Sequence, residues 1–508
     1  MPRRRSAPAL PRTEPISSSS IRRMLEHRWL PVVLALVITG LGAATAALLF
    51  RLGLDGLGRW RLRMLELGPR TLLLPAIGGT GGLVAGLLVQ TFAPAAVGSG
   101  IPQVMQFLRR RPIPMGFQVA VVKLVAGIVA IGCGFPLGPS GPSVQMGCSV
   151  GWEMAQKLRA PQPFVRLIVA AGGGAGIAAV FRAPIGGFFY ALEELFQGAR
   201  PVVMLLVLVT TFWADTWADL LGLAGLPGLN GGWQPGGSFR LQRQVTTFVE
   251  VVPIDLVLLF ALGALVALAA ELYCRYVVRL QALLRRWHIP LAAGMAAAGV
   301  GLGLMDALLP IDFINRAGIR QAVAEGNVDI PRALAIFLVL FLTTGLAAAA
   351  GAPGGLFAPM LTLGGALGLS LAGLLEQAGA TAPSTAVFAG MGAFLAACAR
   401  APLTATFLTF AFTKELLILK PILVACLGSL VMARTLHPQS IFKRMTPPED
   451  SAKGGGGEPQ DLTLASVPLR PRNLQPRERR SQAGQATVTG ASRSRDDRLI
   501  TDSPPRRP

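Results

Sequence analysis

The sequence predicts an all-α polytopic membrane protein whose helices are repeatedly broken. Three observations carry that reading. Of the 508 residues, 52% are hydrophobic and only 14% charged, with a mean hydropathy of +0.54; a soluble domain carries about 25% charged residues. Long apolar stretches recur from Trp29 to Leu436. Apolar segments interrupted by Gly and Pro return at a nearly constant distance along the chain. Together these argue against a soluble enzyme, a nucleic-acid binder and a secreted disulfide scaffold.

The chain divides into a basic N-terminal segment (1–28), a transmembrane body (29–442) and a polar tail (443–508). Residues 1–28 hold seven Arg against two acids, and residues 443–508 hold thirteen basic residues against eight acids. Almost half of the formal net charge of +21 therefore lies in the two ends. The positive-inside rule puts both ends in the cytoplasm, against an anionic leaflet. The tail, with Gly454–Gly457 and many Pro, Arg and Ser, has no material for a core and reads as disordered. No appended regulatory domain of ordinary size is expected in it.

Within the body the first apolar run, Trp29 to Phe50, is long enough to span and is read as a retained helix, not a cleaved signal. Further long helices are predicted at 71–92, 164–180, 202–224, 254–280, 290–309, 332–350 and 418–436. Between them lie pieces too short or too interrupted to span: 121–131, 143–157, 185–196, 356–375, 386–397 and 403–413. In hydrocarbon a broken helix is tolerated only where protein or an aqueous cavity covers its backbone. Repeated breaks therefore point to a transport pathway.

An internal repeat sets the halves at about 29–225 and 250–442. Gly174–Pro184 matches Gly392–Pro402 at a shift of 218, and Gly138–Pro142 aligns with Gly355–Pro359 at a shift of 217. Interrupted segments at matching places in two halves point to a midplane binding site. From the residues alone the halves are either parallel or inverted.

The interrupted segments are Gly98-Ser99-Gly100-Ile101-Pro102, Gly138-Pro139-Ser140-Gly141-Pro142 and Gly355-Leu356-Phe357-Ala358-Pro359. Each precedes or opens an apolar helical run, with Pro suited to a first turn and Gly to close backbone approach. A helix N-terminus exposes unpaired N–H groups and about half a positive charge. Several such ends aimed at one place hold a small anion without a full cation, loosely enough for it to leave. The competing account for each is an ordinary turn.

These three segments, with Phe181-Arg-Ala-Pro184 and the pair Glu193-Glu194, resemble the chloride channel/antiporter (CLC) family over about residues 30–443. The resemblance implies a homodimer with one anion pathway per subunit and two inverted halves whose helix N-termini meet at a central site. Ser99 resembles the family's anion-coordinating serine, followed by Gly100 and Ile101. The resemblance implies that the N–H groups of Leu356 and Phe357 are the corresponding donors from the second half. Phe442 stands where the family usually has a tyrosine, so one hydroxyl is missing; packing of a helix-end aromatic fits the position equally.

The family pattern Gly-basic-Glu-Gly-Pro here reads Gly138-Pro139-Ser140-Gly141-Pro142. A carboxylate beside an anion competes with it for donors and leaves by taking a proton, which couples the two movements. Ser140, at the gate position, has no ionisation near neutral pH and cannot carry a proton. Glu194 resembles the family's inner proton-transfer glutamate; the alternative for the Glu193-Glu194 pair is a helix cap at the interface. Lys123, seventeen residues before Ser140, supplies positive potential to the pathway or snorkels to the interface. Arg182 and Arg400 occupy equivalent repeat positions and read as structural.

No metal or cofactor is expected, since Cys133, Cys148, Cys274, Cys398 and Cys426 form no CxxC or Cys/His spacing. No nucleophile–base set appears, so no enzyme is expected. The expectation is passive or weakly coupled chloride movement across the membrane. A proton-coupled antiporter using another carboxylate and a non-conducting anion-binding protein are the alternatives. Richness in Ala, Gly and Arg fits a bacterial inner membrane.

Overall fold

Almost every apolar run in the body is a helix. The computed structural model describes residues 18–109, 111–196, 201–223, 253–310, 313–314, 316–326, 328–379, 383, 385–413 and 415–446. The predicted half boundaries at 225 and 250, most of the N-terminal segment 1–28 and the tail beyond 446 lie outside the described residues.

The first half runs through α1 (Ser18–Met64), α2 (Arg70–Phe92), α3 (Ile101–Leu108), α4 (Phe117–Gly132), α5 (Ser140–Lys157), α6 (Gln162–Phe181), α7 (Pro184–Tyr190) and α8 (Pro201–Leu223). A π-helical turn, Ala191–Phe196, continues α7. The second half runs through α9 (Pro253–Arg286), α10 (Leu291–Leu308), α11 (Arg316–Ala324), α12 (Ile330–Ala349), α13 (Phe357–Gln377), α14 (Ala386–Ala399), α15 (Pro402–Thr413), α16 (Leu419–Leu436) and α17 (Ile441–Arg444). Nine helices among the described residues are long and apolar enough to cross a membrane. The chain is a multi-pass membrane protein.

One expectation is corrected. The piece at 356–375 was expected to be too interrupted to span, but α13 is an unbroken helix of 21 residues. Pro359 falls in its first turn, where the missing N–H would have no intrahelical partner. The run opened by Gly98–Pro102 is the short helix α3; α11 and α17 carry no periodic signal in the sequence, each being too brief for one.

The packing follows from the medium. Lipid supplies no hydrophobic drive between helices, so close approach of small residues holds them together. A Cβ at Gly147 on α5 would collide with the Gly172 carbonyl on α6, and one at Gly364 on α13 with the Gly390 carbonyl on α14. The two crossings are related by 217 and 218 residues, the shifts read in the sequence. Large apolar side chains such as Leu72, Leu205, Val257 and Leu338 lie on the outside, while alanines and glycines fill the centre.

The repeat also governs helix ends. α6 ends on Arg182 at φ 54° and α14 on Arg400 at φ 60°, both left-handed. Such a conformation costs a non-glycine residue roughly 1–2 kcal/mol. Each guanidinium offsets this by anchoring to a neighbouring helix. Arg182 donates to the Asp215 carbonyl at 2.6 Å and pairs with Asp215 and Asp219 on α8. Arg400 donates to the Ala433 and His437 carbonyls at 3.0 and 2.8 Å. The sharp turn that follows lets Pro184 and Pro402 open the next helices.

Candidate functional site

The site is assembled by helix starts from both halves. α5 begins at Ser140 and α13 at Phe357. The residues just before them are joined: the Gly138 N–H donates to the Gly355 carbonyl and the Gly355 N–H to the Gly138 carbonyl, both at 2.7 Å. Reciprocal bonding between equivalent residues is what a local two-fold relation between the halves produces. The Phe357 N–H donates to the Ser140 hydroxyl at 3.4 Å.

The third start arrives on the same point. Gly100 precedes α3 at φ 89°, a conformation that glycine adopts without steric cost. A Cβ on Gly141 would meet the carbonyl and hydroxyl oxygens of Ser99, and one on Gly355 would meet Ser140 and the Gly141 nitrogen. Ser99, Ser140, Gly141, Gly355 and Phe357 therefore share one packed locus. Close packing here demands glycine on two of the three strands of backbone.

None of the three helix starts carries a side-chain cap or an acidic residue in its first turn. The residues at the cap positions, Gly100, Pro139 and Leu356, have no side-chain acceptor. Their leading N–H groups thus retain a positive field. Ile101, Ser140, Gly141, Leu356 and Phe357 are all buried. The Ser99 hydroxyl is buried with no hydrogen-bond partner among the described residues.

Phe442, on α17, is fully buried with its ring 5.9 Å from that of Phe357. Two contacts hold α17 in place. Ser440 donates its hydroxyl to Glu194 at 3.0 Å, and Arg444 reaches both carboxylate oxygens of Glu271 on α9 at 3.0 Å. Glu194 is buried on the π-helical turn, one position beyond a residue with a different task. The Glu193 carboxylate accepts from the Leu403 and Thr404 N–H groups at 3.1 and 2.8 Å and from the Thr404 hydroxyl at 2.7 Å. It caps α15 from the opposite half, and both its oxygens are occupied in doing so.

Lys123 sits fully buried on α4. Its ammonium donates to the Ala96 carbonyl at 2.9 Å and to the Gly98 carbonyl. It therefore braces the turn that leads into Ser99. That turn is fixed from the other half as well, since the Gly98 N–H donates to the Gly351 carbonyl at 2.9 Å.

Residues 81–434 match the Voltage gated chloride channel family. The chain belongs to that family. It is 30% identical to the H(+)/Cl(-) exchange transporter ClcA of Citrobacter koseri, over 71% of this chain and 75% of that one. It is 29% identical to the ClcA of Yersinia pestis, over 83% and 89%. A crystal structure of a slow cyanobacterial Cl-/H+ antiporter superposes with a TM-score of 0.71 at 27% identity, covering 81% of this chain and 96% of the other. A eukaryotic CLC transporter shares the fold at 20% identity and a TM-score of 0.68, covering 82% and 74%.

The structure places further residues around the uncapped helix starts that the sequence did not single out. Gln145 on α5 donates to the Ala95 carbonyl at 2.7 Å, and its side-chain oxygen lies where a Cβ on Gly100 would stand. Tyr190, fully buried, places its ring 5.6 Å from that of Phe357. Neither carries a local sequence signal: Gln145 sits in a run of small residues, and Tyr190 follows two phenylalanines. Only the contact of its ring with Phe357 distinguishes it from them.

Proposed function

We propose that this protein conducts chloride passively across a bacterial inner membrane, through one pathway in each subunit of a homodimer, with both termini in the cytoplasm. The observation that carries the proposal is the meeting of Ser140 with the Phe357 N–H at the head of two buried, uncapped helices. Ser99, Gly100, Ile101, Ser140, Gly141, Leu356 and Phe357 supply the anion site. Their amide and hydroxyl donors replace part of the ion's hydration without a full countercharge, so binding stays reversible. Phe442 closes the site with an apolar ring.

The passive mechanism rests on chemistry. Ser140 stands at the gate position, and its hydroxyl cannot titrate in the physiological range. It accepts from the Phe357 N–H at 3.4 Å and keeps its own proton to donate to a passing anion. Among the described residues no carboxylate hydrogen-bonds to Ser99, Ser140 or Phe357. Movement then follows the electrochemical gradient, with no proton stoichiometry.

A second reading, proton-coupled exchange, draws support from the names of the ClcA relatives and from the burial of Glu194. An ionisable group buried inside a membrane body is costly and by default functional. Simultaneous recording of chloride and proton flux from liposomes separates the two. Chloride efflux without uphill proton movement is the expected result. Protons pumped at a fixed ratio to chloride would establish exchange instead, and Glu194→Gln should then abolish the proton flux. Light scattering of the purified protein at dimer mass tests the assembly.

A further inference from the structure

We propose that the Tyr190 hydroxyl is an anion ligand of the central site, giving the phenolic hydrogen bond that Phe442 cannot. The inference rests on the anion-site reading above and adds a residue to it.

Three rings form one contiguous group. Tyr190 meets Phe357 edge-on at 5.6 Å and 76°, and Phe357 meets Phe442 at 5.9 Å. Phe357 heads α13, and its N–H reaches Ser140. Of the three rings only Tyr190 bears a polar atom. Tyr190 is fully buried, and its hydroxyl has no hydrogen-bond partner among the described residues. A buried hydroxyl left unpaired costs about 1–3 kcal/mol, so native structures rarely keep one without a reason.

Two polar groups near it already have partners. Glu194, one helical turn onward, accepts from Ser440. The Phe357 N–H is given to Ser140. Among the described residues the hydroxyls of Thr39, Ser99, Ser143 and Ser149 share Tyr190's condition, and of these Ser99 lies in the packed locus beside Gly141. A buried O–H donor left without a partner among the described residues, on a ring that touches the first residue of an uncapped helix, is what a small anion satisfies. The chain also leaves regular α-helical geometry immediately after Tyr190, at the π-helical turn Ala191–Phe196. Such turns are frequent at functional sites.

The ligand class is a monovalent halide: small, and able to accept several hydrogen bonds without donating any. The phenol keeps its proton throughout, so Tyr190 contributes to binding and selectivity and takes no part in proton transfer.

The test uses the full-length purified protein titrated with sodium bromide against an isethionate background, read by calorimetry and by the tyrosine ultraviolet difference band. Tyr190→Phe removes one oxygen atom and keeps the ring. Bromide affinity is expected to fall about tenfold or more, as for loss of one hydrogen bond to a charged group. The melting temperature in isethionate is expected to hold or rise, because no protein partner is lost and an unpaired buried hydroxyl is removed. Tyr190→Phe/Phe442→Tyr, which moves the hydroxyl to the other ring, should recover most of the affinity. Wild-type affinity in Tyr190→Phe, or a wild-type tyrosine band that does not respond to bromide, overturns the proposal. So does a melting temperature that falls while affinity holds, which would mean an internal partner. Chloride efflux from wild-type liposomes is measured in parallel. Efflux with unaltered affinity in Tyr190→Phe sinks this inference alone. Bromide binding without efflux sinks the transport reading and leaves the ligand assignment standing.

Discussion

Gly138 and Gly355 exchange backbone hydrogen bonds of 2.7 Å in both directions, although 217 residues separate them in the chain. This pairing holds the starts of α5 and α13 side by side and sets the distance between Ser140 and Phe357. It leaves no space for a side chain at the second glycine.

Gly355→Ala tests that restraint. A Cβ there would collide with the Ser140 hydroxyl and the Gly141 nitrogen. Destabilisation of about 1–3 kcal/mol is expected from forced overpacking. Chloride efflux from liposomes should fall by about tenfold, the cost of misplacing one donor to a charged ion. Efflux at the wild-type rate would separate this locus from the pathway.

Ser140→Glu should install a titrating gate. The new carboxylate competes with chloride for the Phe357 N–H when ionised and withdraws when protonated. Efflux is therefore expected to be slower than wild type at alkaline pH and to rise as pH falls. The wild type should vary less over the same range. Identical pH profiles for the two proteins would place residue 140 away from the moving ion.

Lys123→Met separates bracing from electrostatics. The substitution keeps most of the stem but leaves the carbonyls of Ala96 and Gly98 without their donor. A loss of about 2 kcal/mol or more is expected from two unsatisfied buried acceptors. Thermal unfolding in isethionate reads this directly, with no anion present. A protein of unchanged stability and weakened chloride affinity would show that Lys123 acts on the ion at a distance.

Glu193→Ala removes the acceptor for three donors at the start of α15. Loss of a helix cap costs about 0.5–2 kcal/mol. Unfolding in denaturant should show a decrease of that size, with Glu193→Gln falling between the two. The chloride rate at saturating concentration should not change. A large change in flux at preserved stability would assign Glu193 to the pathway.

The helices were legible because their signals are local. A run such as 71–92 or 332–350 is apolar for its whole length, and in lipid only a helix satisfies such a backbone. The repeat was legible for the same reason, since Gly174–Pro184 and Gly392–Pro402 are contiguous words in the chain. The one misjudged segment, α13, failed on Pro359, whose effect depends on where the helix begins. Proline breaks a helix interior and is neutral in a first turn.

The sequence by itself determined the membrane body, its doubling and the helix starts rich in Gly and Pro, because hydropathy and backbone freedom belong to residue types. The tertiary structure alone decided what the polar residues do. Glu193 and Glu194 are adjacent, yet one caps α15 at residues 403–404 while the other meets Ser440. Lys123 is spent on carbonyls some 25 residues away, and Tyr190 holds a hydroxyl with no partner among the described residues, a group that its neighbours Phe188 and Phe189 lack. A partner across hundreds of residues is chosen by which helices pack together, and that choice leaves no mark on the local sequence.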